Sequence, residues 1–383
     1  MSAPLRVLHA HAGNLYGGVE TILVTLARLA ALEPRLEHRF ALCFEARLSE
    51  ELRSAGAQVD SLGPVRLSRP WTVRRDRLAL DALLARDKPD VVLTHSTWSH
   101  AIFAPIAAAH GLPCVYWQHA GDIGPVWLAA WARAVPPAHV ICTSAFAAHR
   151  TSQLFAGVPR SVLHPPVAPA PANQRPGWRD GLRAVLGVRT DTVVILHAGR
   201  FEPWKGQLNL VRALADLGST RDWVCWLVGA AQRKSEVAFE RHVRDEIATR
   251  GLEPRVRMLG QRSDVRDLMA AADVFCQPNT EPEPFGIVFV EALYASLPTV
   301  ASASGGALEI LDASCGLTVP PGETFDLARA LRLLIEDRGL RTRLGDGGPL
   351  RARALCDPAQ QVRELHDLLA QVETGHRAGR FAK

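Results

Sequence analysis

The sequence predicts two doubly wound α/β domains in tandem, on three observations. The chain has 383 residues, beyond the roughly 250–300 at which a single hydrophobic core stops growing. Short apolar runs alternate with helix-compatible segments, the mark of a parallel sheet covered on both faces. The stretch HPPVAPAPANQRPG, His164 to Gly177, is Pro-rich and almost free of charge. It cannot supply helix or ladder hydrogen bonds and divides the alternation into two series. The expected domains are 1–168 and 169–383, with the last helix packing back on the first.

In the first series LRVLHAH is a strand, AGNLYGG a turn and VETILVTLARLAAL a helix. FALCF, PDVVLTH, PCVYWQH and HVICTS are further strands separated by helical stretches. The second series runs strand TVVILHAGR, helix GQLNLVRALADLG, strand WVCWLVGA, helix SEVAFERHVRDEIATRG, strand VRMLG, helix SDVRDLMAAA and strand DVFCQP. EPEPFGIVFVEAL follows, then strand PTVAS, SGGALEIL and two C-terminal helical segments. By propensity alone GIVFV is a strand. Good helix formers continue it in Glu291-Ala292-Leu293, and Pro298 opens the next strand, so a helix from about Ile287 to Ser296 is expected instead.

Apolar residues make up 48% and charged residues 22%, which excludes disordered and fibrous classes. The net charge of +5 is carried by arginine, since Lys88, Lys205, Lys234 and Lys383 are the only lysines. No basic stripe with interleaved aromatics is present, so nucleic acid is not expected as a partner. The seven cysteines are odd in number and lack a CxxC pair, as for buried thiols in a reducing compartment. The N-terminus enters a strand directly and no apolar run approaches eighteen residues. The expected location is the cytoplasm, with a peripheral seat at the inner membrane face as the alternative.

Ligands on doubly wound sheets bind outside the carboxyl ends of the strands. In HAGRFEPWKGQ, Arg200 and Lys205 follow a strand end and Gly206 precedes a helix. Two cations beside a helix start suit a diphosphate, although a lone Arg or Lys on a loop is more often a solvated surface charge. Glu283 and Glu291 stand eight positions apart around an apolar run. An unpaired buried carboxylate is costly, so Glu291 must meet a cation, a polar ligand or solvent. With Phe285-Gly286 turning the chain, the amides of Ile287 and Val288 point out of a helix N-terminus that favours anions. Both carboxylates then flank this helix end as acceptors for sugar hydroxyls. AGNLYGGVE places Gly13, Gly17 and Gly18 before a helix but is neither GxGxxG nor a Walker loop, leaving a close ligand approach and a plain turn open. His119 ends a strand in YWQHAGDIG, where a lone histidine is more often structural.

EPFGIVFVE, with GRFEPWKG upstream and SGGALEIL downstream, resembles the E-x7-E signature and companion motifs of retaining nucleotide-sugar glycosyltransferases of family 4, which have the GT-B fold. The resemblance spans the chain, and its motifs occur in order. It implies Glu291 on the donor ribose, Glu283 on the transferred sugar, and Arg200 and Lys205 on the diphosphate. It places Gly17 and Gly18 near donor phosphate and acceptor, and His119 on the transferred sugar. The implied donor set adds Phe285, Gly286, Ile287 and Val288, with Asp122 as an acceptor-orienting candidate. Metal independence is also implied, so no cofactor and no metal site are expected; the nucleotide-diphosphate sugar is a substrate. A hexose would pass to a saccharide or lipid-linked acceptor in cell-surface polysaccharide or glycolipid synthesis. A nucleotide-sugar epimerase of the same architecture and a silent scaffold are the alternatives. Base choice is expected around Gly260 to Ser263 and after Val228.

RPWTVRRDRLALDALLARDKPD carries Arg74, Arg75 and Arg77 near Trp71 on a helix. It is read either as a patch for anionic lipid or as an ordinary solvated basic face. Trp127 and Trp131, four residues apart on one helix, are expected to share a packed face.

Overall fold

The computed structural model describes residues 3–66, 68–169, 177–218 and 222–381. Residues 170–176 of the Pro-rich stretch lie outside the described residues. The chain divides into two compact units, residues 1–167 with 356–383, and residues 168–355.

The first unit holds seven strands: β1 (Leu5–His11), β2 (Leu36–Leu42), β3 (Gln58–Ser61), β4 (Val91–His95), β5 (Cys114–Gln118), β6 (His139–Cys142) and β7 (Arg160–Val162). They form one parallel sheet in the order β3-β2-β1-β4-β5-β6-β7. Every residue of β4 and β5 is buried, as a central strand covered on both faces requires. The helix Pro358–Phe381 belongs to this unit, with His376 Nε2 3.1 Å from the Gly111 carbonyl and Arg377 paired with Asp90.

The second unit holds β8 (Val193–Ala198), β9 (Trp223–Val228), β10 (Val256–Gly260), β11 (Val274–Gln277), β12 (Thr299–Ser302) and β13 (Gly316–Val319). They too are parallel, in the order β10-β9-β8-β11-β12-β13. β8 and β9 are wholly buried. Each large side chain so buried, such as Trp226, contributes about 1.5–3 kcal/mol.

The GIVFV run is helical, within Ile287–Tyr294. Gly286 precedes it at φ 98°, and a Cβ there would stand 2.4 Å from the Phe289 ring. β3, β7 and β13 were not among the expected strands, and three helices, Thr324–Glu336, Arg338–Cys356 and Pro358–Phe381, stand where two were expected. All seven cysteines are buried thiols. Among the described residues no helix is long and apolar enough to cross a membrane.

Candidate active site

In the second unit the strand order reverses between β8 and β11, where doubly wound sheets bind ligands. The loop after β8 lies directly on the loop after β11. Gly206 sits at φ 76°, and a Cβ there would stand 1.9 Å from the Pro278 carbonyl oxygen. The Thr280 amide donates to the Trp204 carbonyl at 2.8 Å. This contact brings Lys205 to Glu283: Nζ is 2.5 Å from Oε2, and Asn279 Nδ2 donates to the same oxygen at 3.0 Å. Lys205 Nζ also stands 3.8 Å from the Trp204 ring centroid. The Lys205 and Glu283 side chains are only 15% and 14% exposed, so the pair feels less screening than a surface bridge. The Glu283 carbonyl accepts the Gly306 amide at 2.8 Å, tying the loop after β12 to the same cluster.

Arg200 is a tethered cation. Its guanidinium reaches Glu202 at 2.9 Å and Glu236 at 3.1 Å, while Glu236 accepts the Gln232 and Arg233 amides at the start of the helix Lys234–Thr249. Gln207 Nε2 holds the Arg200 carbonyl at 2.7 Å. Sequence reading supplied both cations and Glu283 but not their pairing, nor Glu202 and Glu236, so an entering anion must compete with these carboxylates.

Glu291 lies one turn inside the helix Ile287–Tyr294, with its amide donors Ile287 and Val288 at the open end. Its carboxylate is 18% exposed and accepts from Arg266 Nε and Nη2, both at 3.3 Å. Burial pushes its pKa up, against the pull of Arg266. Arg266 was not singled out from sequence, because SDVRDLM reads as an ordinary amphipathic turn. Asn279, in the loop after β11, was also not singled out. Phe285 is buried beside Gly306, whose Cβ would stand 2.5 Å from the Phe285 Cα.

In the first unit the order reverses between β1 and β4. Gly17 precedes the helix Gly18–Arg28 in extended backbone, φ −159°, which any residue adopts, and a Cβ would meet only Glu20 Oε2 at 3.7 Å. Neither backbone nor packing therefore demands glycine there. Glu20 anchors this loop, accepting the Gly17 amide at 2.8 Å and pairing with His11 Nε2 at 2.8 Å. His119 follows β5; its Nε2 is 2.9 Å from His95 Nδ1 and its ring stacks on Trp117. Burial drives its pKa down to about 3, so it is neutral at ordinary pH. Asp122 serves its own turn, with Oδ1 accepting the Gly124 amide at 3.0 Å.

Of the four arginines of the helix Pro70–Arg86, Arg75, Arg77 and Arg86 have partners within the protein, Arg86 pairing with Asp60. Arg75 pairs with buried Asp76 at 2.8 Å and donates to the Pro64 carbonyl. Arg77 donates to the carbonyls of Ile102 and Ala101 and lies over Trp131. The two tryptophans expected on one packed face part company. Trp131 packs edge-on to Trp98, whereas Trp127 is 50% exposed, because the short helix Val126–Arg133 buries only Ala129 and Ala132 fully.

Residues 16–170 match the family model described as Glycosyltransferase Family 4, and residues 179–351 match that described as Glycosyl transferases group 1. The chain belongs to glycosyltransferase family 4. The lipopolysaccharide core biosynthesis glycosyltransferase LpsD of Rhizobium meliloti (strain 1021) is 28% identical over 90% of this chain and 92% of its own length. LpsE of the same strain is 34% identical over 43% of this chain, which spans 46% of that relative. A D-inositol 3-phosphate glycosyltransferase of Kineococcus radiotolerans is 34% identical, and this chain spans 47% of it. Anabaena Alr3699/HepE, solved with UDP and glucose, superposes with a TM-score of 0.84 at 24% identity, covering 96% of this chain and 99% of that one. WaaG, a glycosyltransferase involved in lipopolysaccharide biosynthesis, gives 0.71 at 18%, covering 95% and 99%. These likenesses place the family 4 chain in the GT-B fold.

Proposed function

We propose that this glycosyltransferase moves a hexose from a UDP- or GDP-linked sugar to a saccharide or lipid-linked acceptor in cell-surface polysaccharide or glycolipid synthesis, with retention and without a metal. The observation that carries the reading is the convergence of Lys205, Glu283 and the amide end of the helix Ile287–Tyr294 at the β8–β11 reversal. Relatives support the donor class: one is named as a GDP-mannose-dependent mannosyltransferase, and HepE is described with UDP-glucose. LpsD and LpsE support cell-surface synthesis by their names.

On this reading Lys205, Arg200 and the Ile287 and Val288 amides compensate the departing diphosphate, the role a metal fills elsewhere. Phe285 and Gly286 shape the approach to those amides. Glu291 takes the ribose hydroxyls, Glu283 and His119 the transferred sugar, and Gly17 and Gly18 admit the donor close to the backbone. Asp122 is the acceptor-side candidate. No side chain stands as an evident nucleophile, so retention proceeds by same-face attack, with the leaving phosphate taking the acceptor proton. A trapped glycosyl-enzyme adduct, an inverted anomer by proton NMR, or turnover abolished by EDTA and restored by a divalent cation would each overturn part of this.

The first test is thermal shift against UDP, GDP and their sugars. One nucleotide is expected to raise the melting midpoint, and Glu291→Gln to lose that response. The same variant should melt about 2–4 °C higher without ligand for each kcal/mol relieved. The sign follows from the raised carboxyl pKa: the folded chain holds that proton more tightly, so stability falls as pH rises through the folded value, and neutral glutamine removes the penalty. No nucleotide response in the parent protein counts against a working donor site.

For the membrane contact, Arg74 lies at the surface with exposed Trp71 and Leu78, while Arg75, 50% exposed, is held by Asp76. Flotation with anionic vesicles is expected to enrich the protein, and Arg74→Glu with Trp71→Ser to abolish enrichment; no enrichment of the parent removes the contact.

A further inference from the structure

Four imidazoles run end to end across the first sheet. His38 Nδ1 is 2.8 Å from His9 Nε2, His9 Nδ1 is 2.9 Å from His95 Nε2, and His95 Nδ1 is 2.9 Å from His119 Nε2. They come from β2, β1, β4 and the loop after β5, consecutive in the sheet order. The ring centroids stand 5.0, 5.2 and 5.2 Å apart, the spacing of imidazoles bonded edge to edge. His9 and His95 are fully buried and His38 is 8% exposed. Phe40 stacks on His9, and Trp117 lies against both His95 and His119. The two terminal nitrogens, His119 Nδ1 and His38 Nε2, are buried and have no hydrogen-bond partner among the described residues.

Burial keeps all four rings neutral: His119 is pushed down to about 3, His38 to about 4, and His9 and His95 well below the usual range. A neutral imidazole has one N–H and one bare nitrogen. Every bond in the row joins an Nδ1 to an Nε2. If two neighbours differ in tautomer, the bond between them holds either two protons or none. Only two arrangements keep all three bonds. With Nδ1–H on every ring, His119 presents an N–H beyond the row and His38 ends in a bare nitrogen. With Nε2–H on every ring, His119 ends in a bare nitrogen and His38 buries an N–H with no acceptor. Each arrangement leaves one buried N–H without a partner, at His119 in the first and at His38 in the second. His119 is half-buried at the open end of the row and His38 is 8% exposed, so the N–H is better borne at His119, where a sugar oxygen would satisfy it.

We propose that His38, His9 and His95 are positioning residues that hold His119 in the Nδ1–H tautomer, so that it meets the transferred sugar as a hydrogen-bond donor. The sugar contact rests on the function proposed above; the tautomer does not. Free imidazole side chains favour Nε2–H in water, so the row imposes the opposite form. Its effect is to present a fixed donor whose state is coupled through three rings to His38. Ring protons are assigned from such networks and need direct measurement.

The test is nitrogen-15 NMR of the imidazoles in the ligand-free full chain at pH 8, with signals assigned by His38→Phe and His119→Ala. All four rings of the parent protein are expected to show the Nδ1–H pattern. In His95→Gln the amide can accept from His9 and donate to His119, so His119 should keep that pattern. In His95→Leu the row is cut, and His119 should move to mainly Nε2–H. An Nε2–H pattern, or a fast-exchange average, at His119 in the parent protein overturns the proposal, as does an unchanged His119 in a folded His95→Leu. If His95→Leu does not fold, the parent spectrum decides. Because no donor, acceptor or turnover enters the measurement, its failure is distinct from failure of the transferase reading.

Discussion

Lys205→Met is expected to lower kcat/KM for transfer by about 10²–10³-fold, the usual cost of removing one preorganised charge from a developing anion. It should also destabilise the second unit. The ammonium is the cation beside Glu283, and Asn279 alone would then face that carboxylate. Leaving a buried acid without its partner costs about 3–5 kcal/mol when burial is complete; both groups retain some exposure, so about 1–3 kcal/mol is expected after screening. The two losses can be separated. Lys205→Met with Glu283→Gln removes both charges, and the amide accepts from Asn279 as before. The double variant should therefore recover most of the stability, read by urea unfolding, while activity stays lost. Restored activity in the double variant would make the pair a structural bridge and remove Lys205 from the donor site.

The same pair shows what the sequence conveys and where it stops. Arg200, Lys205, Glu283 and Glu291 are legible as ligand-binding types, because strand-end loops and a carboxylate inside an apolar run are local features. Their pairings are not local. Lys205 meets Glu283 only because Gly206 lets the loop after β8 lie on Pro278, and nothing near Lys205 in the chain announces that contact. Arg266 is similarly silent until the helix Ile287–Tyr294 turns Glu291 toward it. The helix itself overrode a β-branched run, since Gly286 in the left-handed region starts it and the residues after Val290 continue it. The missed strands β3, β7 and β13 have only three or four residues each, with mixed burial. Such edge segments lack the apolar run that marked the central strands. The histidine row escaped notice because His9, His38 and His95 lie on three different strands that pair in an order unrelated to their spacing in the chain.

That row also makes acid the condition to which the first unit is most sensitive: lowering the pH from 7.5 to 5.5 is expected to reduce its stability steeply. His9, His38, His95 and His100 are buried and His119 is half-buried; all five have pKa values held below the usual 6.5, His38 and His100 at about 4. A folded value below the unfolded one means the unfolded chain takes up protons first. The contribution is therefore complete above pH 6.5 and is lost as pH falls toward the folded values, at up to about 1.4 kcal/mol per pH unit for each group. Paired carboxylates lose their contribution later. Glu33 and Glu45 are held at about 2, so their window opens only below the ordinary carboxyl value of 4.5. Asp76 in the first unit and Glu291 in the second act with the opposite sign, gaining stability as pH falls, but within the first unit one such carboxyl is opposed to these five imidazoles. Urea unfolding followed by tryptophan fluorescence at pH 7.5, 6.5 and 5.5 checks this, since Trp117 lies against two rings of the row. The midpoint should fall little from pH 7.5 to 6.5 and steeply from 6.5 to 5.5, and His100→Gln should flatten the lower slope by about one proton. An unchanged midpoint from pH 7.5 to 5.5 would mean that the imidazoles are not held neutral by burial, and the tautomer argument for His119 would lose its premise.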